Sequence, residues 1–398
     1  MVGVLSRPRT AGLALLAFLL VAFPYLYTWP FFDTFLDPFR TFQATRFAIW
    51  LIILLGLNLL TGYSGQISLG HGALVAIGAY TAAVLMSEFD MPVALSVLAA
   101  GLLTGSLGFL LGVPALRLAG PYLAIATLAM VLALPQILKL NGIREWSGGV
   151  QGILLETPRV PGTLDGLVSD RQWLYYSCLA PALLLTATAW SITRSRIGRA
   201  FVALRDTEIA AQHMGINVPL YKMTAFGLSA FYAGIGGGLF VFTEAFMSPD
   251  TFDVIMSITM LVVVVLGGLA SIVGTVFAAI VMTFRNDIVD ALAGVGFLEV
   301  PGALFPGREQ PPDTLRGALY GLMLILTIVF MPRGFAGFLR EFRQTGIRAL
   351  LASAGRLPSH SLERLGRLAV AAHLLTRGRP QTAGPKPETK GRAGDPRR

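Results

Sequence analysis

Cysteine, histidine and charge are all scarce in this chain of 398 residues. A single cysteine excludes a disulfide framework and any cluster held by several thiolates. Four histidines, none in an HExxH-type spacing, offer no pattern for a catalytic metal. Only 13% of the residues are charged, against about 25% in a soluble domain. No GxxxxGK(S/T) motif occurs, and none of the four lysines (Lys139, Lys222, Lys386, Lys390) follows a glycine, so nothing here cradles nucleotide phosphates. The net charge of +9 is not spread over the body. From Arg333 onward, 14 basic and 4 acidic residues make +10, which leaves 17 basic and 18 acidic residues in 1–332, net −1. That placement excludes a nucleic-acid-binding body. What remains is apolar: 54% hydrophobic residues and a mean hydropathy of +0.67. The composition is that of a membrane protein with a basic tail, with no cofactor and no metal expected.

A bilayer-spanning helix needs about 20 mostly apolar residues. Runs of that kind occur at 11–28, 45–61, 66–86, 92–113, 121–139, 173–192, 223–243, 254–270, 271–292 and 315–331. The expected fold is therefore an all-α polytopic membrane protein with about ten transmembrane helices, eight to ten allowing for two irregular runs. The third run is rich in Gly and Ala and carries His71, which makes it a candidate for a broken or re-entrant segment. The ninth contains Arg285, Asn286, Asp287 and Asp290, so only its first half is convincingly apolar. No A-x-A site follows the first run, which reads as a retained span rather than a cleaved signal.

Basic residues in short loops mark the cytoplasmic side. With ten spans, four basic regions fall on one face: Arg7 and Arg9, Arg117, the group Arg194 to Lys222, and the tail. The opposite face receives Asp33, Asp37, Glu88, Asp90, the mixed segment 140–172, Glu244 to Asp253 and the Pro-rich loop at 299–313. Both termini are expected in the cytoplasm. The chain divides into a transmembrane domain, 1–340, containing the loop 193–222, and a basic tail, 341–398. Within the tail, Leu362, Leu365, Leu368, Ala372 and Leu375 recur at helical spacing. That pattern suits an amphipathic helix, lying on anionic lipid or solvated at the surface. From Arg377 the Pro-, Gly- and Arg-rich stretch lacks core-forming residues and is expected to be disordered.

Polar groups at bilayer depth are costly and face a cavity or another helix. Segment 58–82 is the densest such set, with Asn58, Thr61, Gln66, Ser68 and His71 interleaved with Gly62, Gly65, Gly70, Gly72 and Gly78. Non-helical backbone survives in a membrane only beside protein or water, so these five polar residues are candidates for the lining of a translocation pathway. The competing reading is close helix packing through small residues, which the pairs Gly101/Gly105, Gly108/Gly112 and Gly234/Gly238 show by spacing alone. No Asp or Glu lies within a dozen residues of His71, which favours a packing role over a proton relay.

One loop looks soluble. Residues 193–222 read TRSRIGRAFVALRDTEIAAQHMGINVPLYK. A helix over 200–214 places Phe201, Leu204, Ile209, Ala210 and Met214 on an apolar stripe, with Arg194, Arg205, Asp206 and Glu208 polar and Gly215 ending the helix. Such a helix needs a partner for its stripe; the bland alternative is a membrane-surface connector.

This loop, with GLNLLTGYSGQISLGHGALVAIGAYTA upstream, resembles the inner-membrane permease of branched-chain amino-acid ABC importers. LRLAGPYLAIATLAM at 116–130, VVVVLGGLASIVGTVFAA at 262–279 and MPRGFAG at 331–337 agree, so the resemblance covers roughly 45–340. The loop is similar to the cytoplasmic EAA coupling loop of ABC permeases, with Ala210, Ala211 and Gly215 in the alanine and glycine positions. Ile209 stands where the pattern has Glu, and Glu208 sits one position earlier. The resemblance implies that Arg205, Asp206, Glu208, Ile209, Ala210, Ala211, Met214 and Gly215 couple the chain to an ATPase. It also implies two separate ABC ATPase subunits, a second paralogous permease forming a heterodimer, and an extracytoplasmic substrate-binding protein. The chain itself is then a transport subunit and not an enzyme. Urea or short-chain amide importers share much of this pattern. An ion-coupled secondary transporter would show an acid at mid-depth, which the first eight spans do not contain.

Overall fold

A computed structural model describes residues 38–118, 120–154, 160, 169–244, 246–285, 287–288, 321, 325 and 334–339. All of them belong to one compact unit, Met1–Arg340. The expected first span, nearly all of the tenth, the amphipathic segment 359–376 and the rest of the tail lie outside the described residues.

The chain runs through α1 (Pro38–Leu57), a six-residue π-helix (Asn58–Tyr63), α2 (His71–Ser87), α3 (Val93–Ala115), α4 (Pro121–Leu138) and the single turn α5 (Arg144–Ser147). After strand β1 (Ile153–Leu154) come α6 (Asp170–Arg194), α7 (Arg196–Asp206), α8 (Glu208–His213) and α9 (Val218–Phe240). Strand β2 (Phe246–Met247), α10 (Val254–Gly267) and α11 (Ile272–Thr283) complete the described elements. Six helical stretches are long and apolar enough to cross a membrane, and α2 and α11 are shorter apolar helices. These eight correspond in order to the expected spans two to nine. The protein is an all-α, multi-pass membrane protein.

Local chemistry sets the helix starts. Ser169 and Gln172 form a reciprocal capping box before α6. Asp253 Oδ1 accepts from Met256 N at 2.7 Å before α10, Ser271 Oγ from Gly274 N at 3.1 Å before α11, and Asn217 Oδ1 from Leu220 N at 3.2 Å before α9. Two expected spans begin or end differently. The third starts at His71, because residues 64–70 are irregular and Gly65 has a φ of 73°. In the ninth, α11 stops at Thr283, just before the polar group at 285–287.

Helices α1 and α9 are the most deeply buried. Helix α9 packs most extensively on α3, then on α2 and α1. Small residues permit this. A Cβ on Gly78 of α2 would lie 2.5 Å from Gly234 Cα of α9, so backbone meets backbone there. Gly108 of α3 abuts the Ala230 methyl of α9 and Gly112 the Met223 backbone, the packing use read from their spacing. The buried Tyr232 hydroxyl is satisfied across the bundle, donating to Leu185 O at 2.8 Å and lying 2.7 Å from Thr188 Oγ1. Outward positions of α3, α4 and α6, among them Leu102, Leu110, Ile125, Leu132 and Leu184, are exposed and apolar, as a hydrocarbon-facing surface requires.

The connections sort into two faces. On one, Gly62 meets Arg205, Asn58 meets Ala270, and Gly334 meets Gly268. On the other, Lys139 pairs with Asp250 at 2.7 Å, Ile153 pairs with Met247 in the β1–β2 ribbon, and Gln43 donates to Asp287 at 3.0 Å. Successive described connections thus alternate between the two faces. Glu244, half-buried where α9 ends on the second face, has its carboxyl pushed up by burial, against the downward pull of Arg46.

Candidate functional site

The polar stretch that follows α1 is held on three sides. The π-helix widens the turn, with Ser64 N donating to Leu59 O at 3.2 Å; insertions of this type recur at functional sites. Asn58, fully inside, donates from Nδ2 to Ser271 O (3.2 Å) and Thr275 Oγ1 (2.7 Å) and accepts from Ala270 N (3.0 Å). The last bond fixes Ala270 in a left-handed conformation, φ 55°. Leu69 N donates to Thr127 Oγ1 of α4 at 3.0 Å, and Gly72 N to Ser257 Oγ of α10 at 3.1 Å.

All five residues proposed from the sequence for a pathway are buried. Asn58 is spent on the three bonds above. Thr61 donates to Gln66 O at 3.2 Å, and Ser68 Oγ accepts from Gly70 N at 3.3 Å. Gln66 donates to Ser64 Oγ at 3.0 Å, and His71 Nε2 donates to Ile53 O at 3.0 Å. Gln66 Oε1 and His71 Nδ1 have no hydrogen-bond partner among the described residues. The structure thus brings the five into one region, where two retain polar capacity.

The loop 193–222 differs from a single helix over 200–214. Thr207 is extended (φ −159°, ψ 115°) and divides it into α7 and α8. Thr207 N closes α7 on Ala203 O, and Thr207 O opens α8 by accepting from Ala211 N, each at 3.1 Å. The expected stripe splits accordingly. Phe201 and Leu204 are inside, Phe201 packing with Leu60, Ala115, Leu123 and Phe226. Ile209 and Met214 are 74% and 83% exposed; Ala210 is exposed, whereas Ala211 is only 3% exposed. A straight helix would stack Glu208 one turn beyond the buried Leu204. The break instead lets Glu208 stay half exposed and reach Lys222, Nζ to Oε1 at 2.7 Å. Gly215 takes φ 80° and ends α8 where the chain turns back.

Arg205 does not point away from the bundle. Nη1 donates to Gly62 O at 3.2 Å, while Nε and Nη2 donate to Asp206 Oδ1 at 3.2 and 3.1 Å. Its aliphatic stem lies on Gly65, where a Cβ would come 2.7 Å from Arg205 Cγ. A cavity of about 180 Å³ sits between the two segments, lined by residues that include Ser64, Gln66, Gly120, Arg205, Glu208 and Lys222.

The family model for the permease component of branched-chain amino acid transport systems matches residues 40–328. The chain belongs to this family of transport permeases. It is 36% identical over 269 residues to the high-affinity branched-chain amino acid transport system permease protein LivM of Salmonella typhimurium. Over 266 residues it is 37% identical to LivM of Escherichia coli K12. Each of these matches covers 62% of this chain and 62% of the relative, so the chain spans about three fifths of the length of these curated relatives. A probable LivH permease of Methanocaldococcus jannaschii is 27% identical, over 62% of this chain and 81% of that protein. No solved structure matches.

Within this member of the permease family, three local features were not read from the sequence. Lys222 reads as one more loop charge, and its ion pair is invisible without the fold. Thr207 carried a usable signal, since a β-branched hydroxyl residue followed by Glu is a helix-start pattern. Arg205, read from the sequence as a loop charge and as one of the coupling residues, turns inward onto a glycine carbonyl 143 positions away.

Proposed function

We propose that this chain is the membrane-spanning permease subunit of an ABC importer that carries branched-chain amino acids into the cytoplasm. ATP is hydrolysed on two separate ATPase subunits, substrate arrives on an extracytoplasmic binding protein, and a second paralogous permease completes the route. The observation that carries this reading is α8, a short helix whose Ile209 and Met214 stand out, 74% and 83% exposed, with no apolar cover among the described residues. Exposed apolar side chains of this size on a polar face suit docking of a helix into a partner's groove. Family membership and the absence of a phosphate-binding loop are consistent with an ATPase supplied by another chain.

In this reading the face bearing Arg117, Arg194, Arg196, Arg199 and Arg205 is cytoplasmic, and both termini lie there. Ile209, Ala210 and Met214 meet the ATPase, while Glu208, Ala211 and Gly215 set the attitude of α8. Segment 58–82 lines the substrate route near the pseudo-two-fold axis with the second permease, with Gln66 and His71 among its available polar groups.

Reconstitution tests the proposal. The chain, the second permease, both ATPases and the binding protein should import labelled leucine, isoleucine and valine only with ATP. Import of urea or a short-chain amide in preference would reassign the substrate, and uptake driven by an ion gradient without ATP would overturn the ABC reading.

A further inference from the structure

The side chain of Arg205 bridges two segments that the proposed mechanism needs to move together. It leaves the last turn of α7, two residues before the extended Thr207 and close to the partner-facing α8. It ends on the π-helix, where Nη1 meets Gly62 O at 3.2 Å. Asp206 holds the other edge of the guanidinium with two bonds from Nε and Nη2, so the fork is oriented rather than free to rotate. The stem is seated as well: Gly65 has φ 73° and lies so close to Arg205 that a methyl group would collide with Cγ and press on Cα and Cβ.

The elements on either side of the bridge are stiff. Helix α7 is anchored by Phe201 and Leu204, and Phe201 packs against Leu60 on the same π-helix. Helix α8 is tied to the base of α9 through Glu208 and Lys222. Beyond Gly62, the segment continues to Gln66, Ser68 and His71, and Asn58 fastens its start to the α10–α11 connection. A push on α8 therefore has a short covalent and hydrogen-bonded route, through Arg205, to the polar stretch inside the membrane. The adjoining cavity of about 180 Å³ leaves room for the two segments to shift against each other without a clash.

We infer that Arg205 is the positioning residue that transmits displacement of the partner-facing loop to segment 58–71, rather than a contact to the ATPase itself. The inference rests on the reading of the chain as an ATP-driven permease. Lysine keeps the charge but loses the planar fork, so it cannot hold Gly62 O and Asp206 together.

The test compares wild type, Arg205→Lys, Gly65→Ala and the double variant in proteoliposomes containing the second permease, both ATPases and the binding protein. Two quantities are read: ATPase retained on the purified complex, and amino acid imported per ATP hydrolysed. Both single variants should keep their ATPase and lower the import-to-hydrolysis ratio by about tenfold, the scale of a lost hydrogen bond to a charged group. The double variant should be no worse than either single one, because both break the same contact. Loss of the ATPase from the Arg205→Lys complex would make Arg205 a partner contact and overturn the proposal. So would an unchanged ratio, or losses that simply add. Should Gly65→Ala fail to assemble, Arg205→Lys and Asp206→Asn form the pair, with the same outcomes. A wild-type complex that imports nothing overturns the permease reading itself, independently of the variants.

Discussion

Lys222 Nζ, in a side chain only 7% exposed at the first turns of α9, lies 2.7 Å from Glu208 Oε1 at the start of α8. The pair is lopsided, since Glu208 is half in water. Removing either partner therefore has different consequences. Glu208→Gln leaves a buried ammonium without its counter-charge, whereas Lys222→Met leaves a carboxylate that water can solvate. Thermal unfolding of the purified variants should show Glu208→Gln the less stable, with a loss of about 2 kcal/mol. Equal losses, or the reverse order, would remove the pair from the account of how α8 is held.

The divided stripe separates folding from docking. Phe201→Ala empties a fully buried site and should cost roughly 3–5 kcal/mol of stability, measured by the same unfolding assay. Ile209→Asp and Met214→Asp alter exposed positions and should leave stability within about 0.5 kcal/mol of wild type while releasing the ATPase subunits on co-purification. Ala211→Asp puts a charge inside the chain and should reduce the yield of folded permease. If Ile209→Asp and Met214→Asp both retain the ATPase, α8 is not the docking element.

How much of this was legible beforehand depended on whether a feature is local. Spans two to nine follow from apolar runs, and the break before His71 from the glycines around it, because bilayer thickness and backbone freedom act on short stretches of sequence. The sorting of loops into two faces likewise follows from alternation alone. The inward turn of Arg205 and the ion pair of Lys222 depend on partners 143 and 14 positions away, and a basic residue in a loop signals its side of the membrane, not its contact. Asn58 shows the same limit. From sequence it is a polar residue at membrane depth, and only the approach of Ala270, Ser271 and Thr275 turns it into a clasp.

That clasp predicts a structural phenotype. Asn58→Leu removes three hydrogen bonds and leaves the partly buried Ala270 N–H without its acceptor, while the Ser271 carbonyl keeps Thr275 N and Oγ1. The loss should be roughly 3 kcal/mol, seen as a lowered melting temperature and poor assembly. Gln66→Leu should lower transport while assembly stays intact, since the one bond it loses, to Ser64, is local. If Asn58→Leu melts like wild type, or Gln66→Leu imports at the wild-type rate, the division of labour within segment 58–71 is different.

Glu244 predicts a pH dependence. Its carboxyl is pushed above the ordinary range by burial, so the folded protein binds this proton more tightly than the unfolded chain does. The stabilisation is fully present below the unfolded value of about 4.5 and is lost as pH rises through the raised folded value. Glu244→Gln should therefore melt higher than wild type at neutral pH, with a flatter profile from about pH 4.5 upward. Superimposable melting profiles would contradict this.

Orientation is open to a direct check, because Cys178, the one native thiol, is buried. An impermeant maleimide added outside intact cells should label Glu88→Cys and spare Ile209→Cys, with the pattern inverted in inside-out vesicles. The opposite pattern would reverse the topology.

The seam where Gly78 of α2 meets Gly234 of α9 has a mechanical consequence. Interlocked side chains act as teeth and oppose sliding, whereas two bare backbones in contact present a smooth track. Dispersion across such a track resists pulling the helices apart but adds little barrier to shear. A bulkier residue at either glycine would convert a bearing into a ratchet. Under the transport function proposed above, where α2 and the polar segment at its head would shift relative to α9, the missing methyl groups act as lubrication.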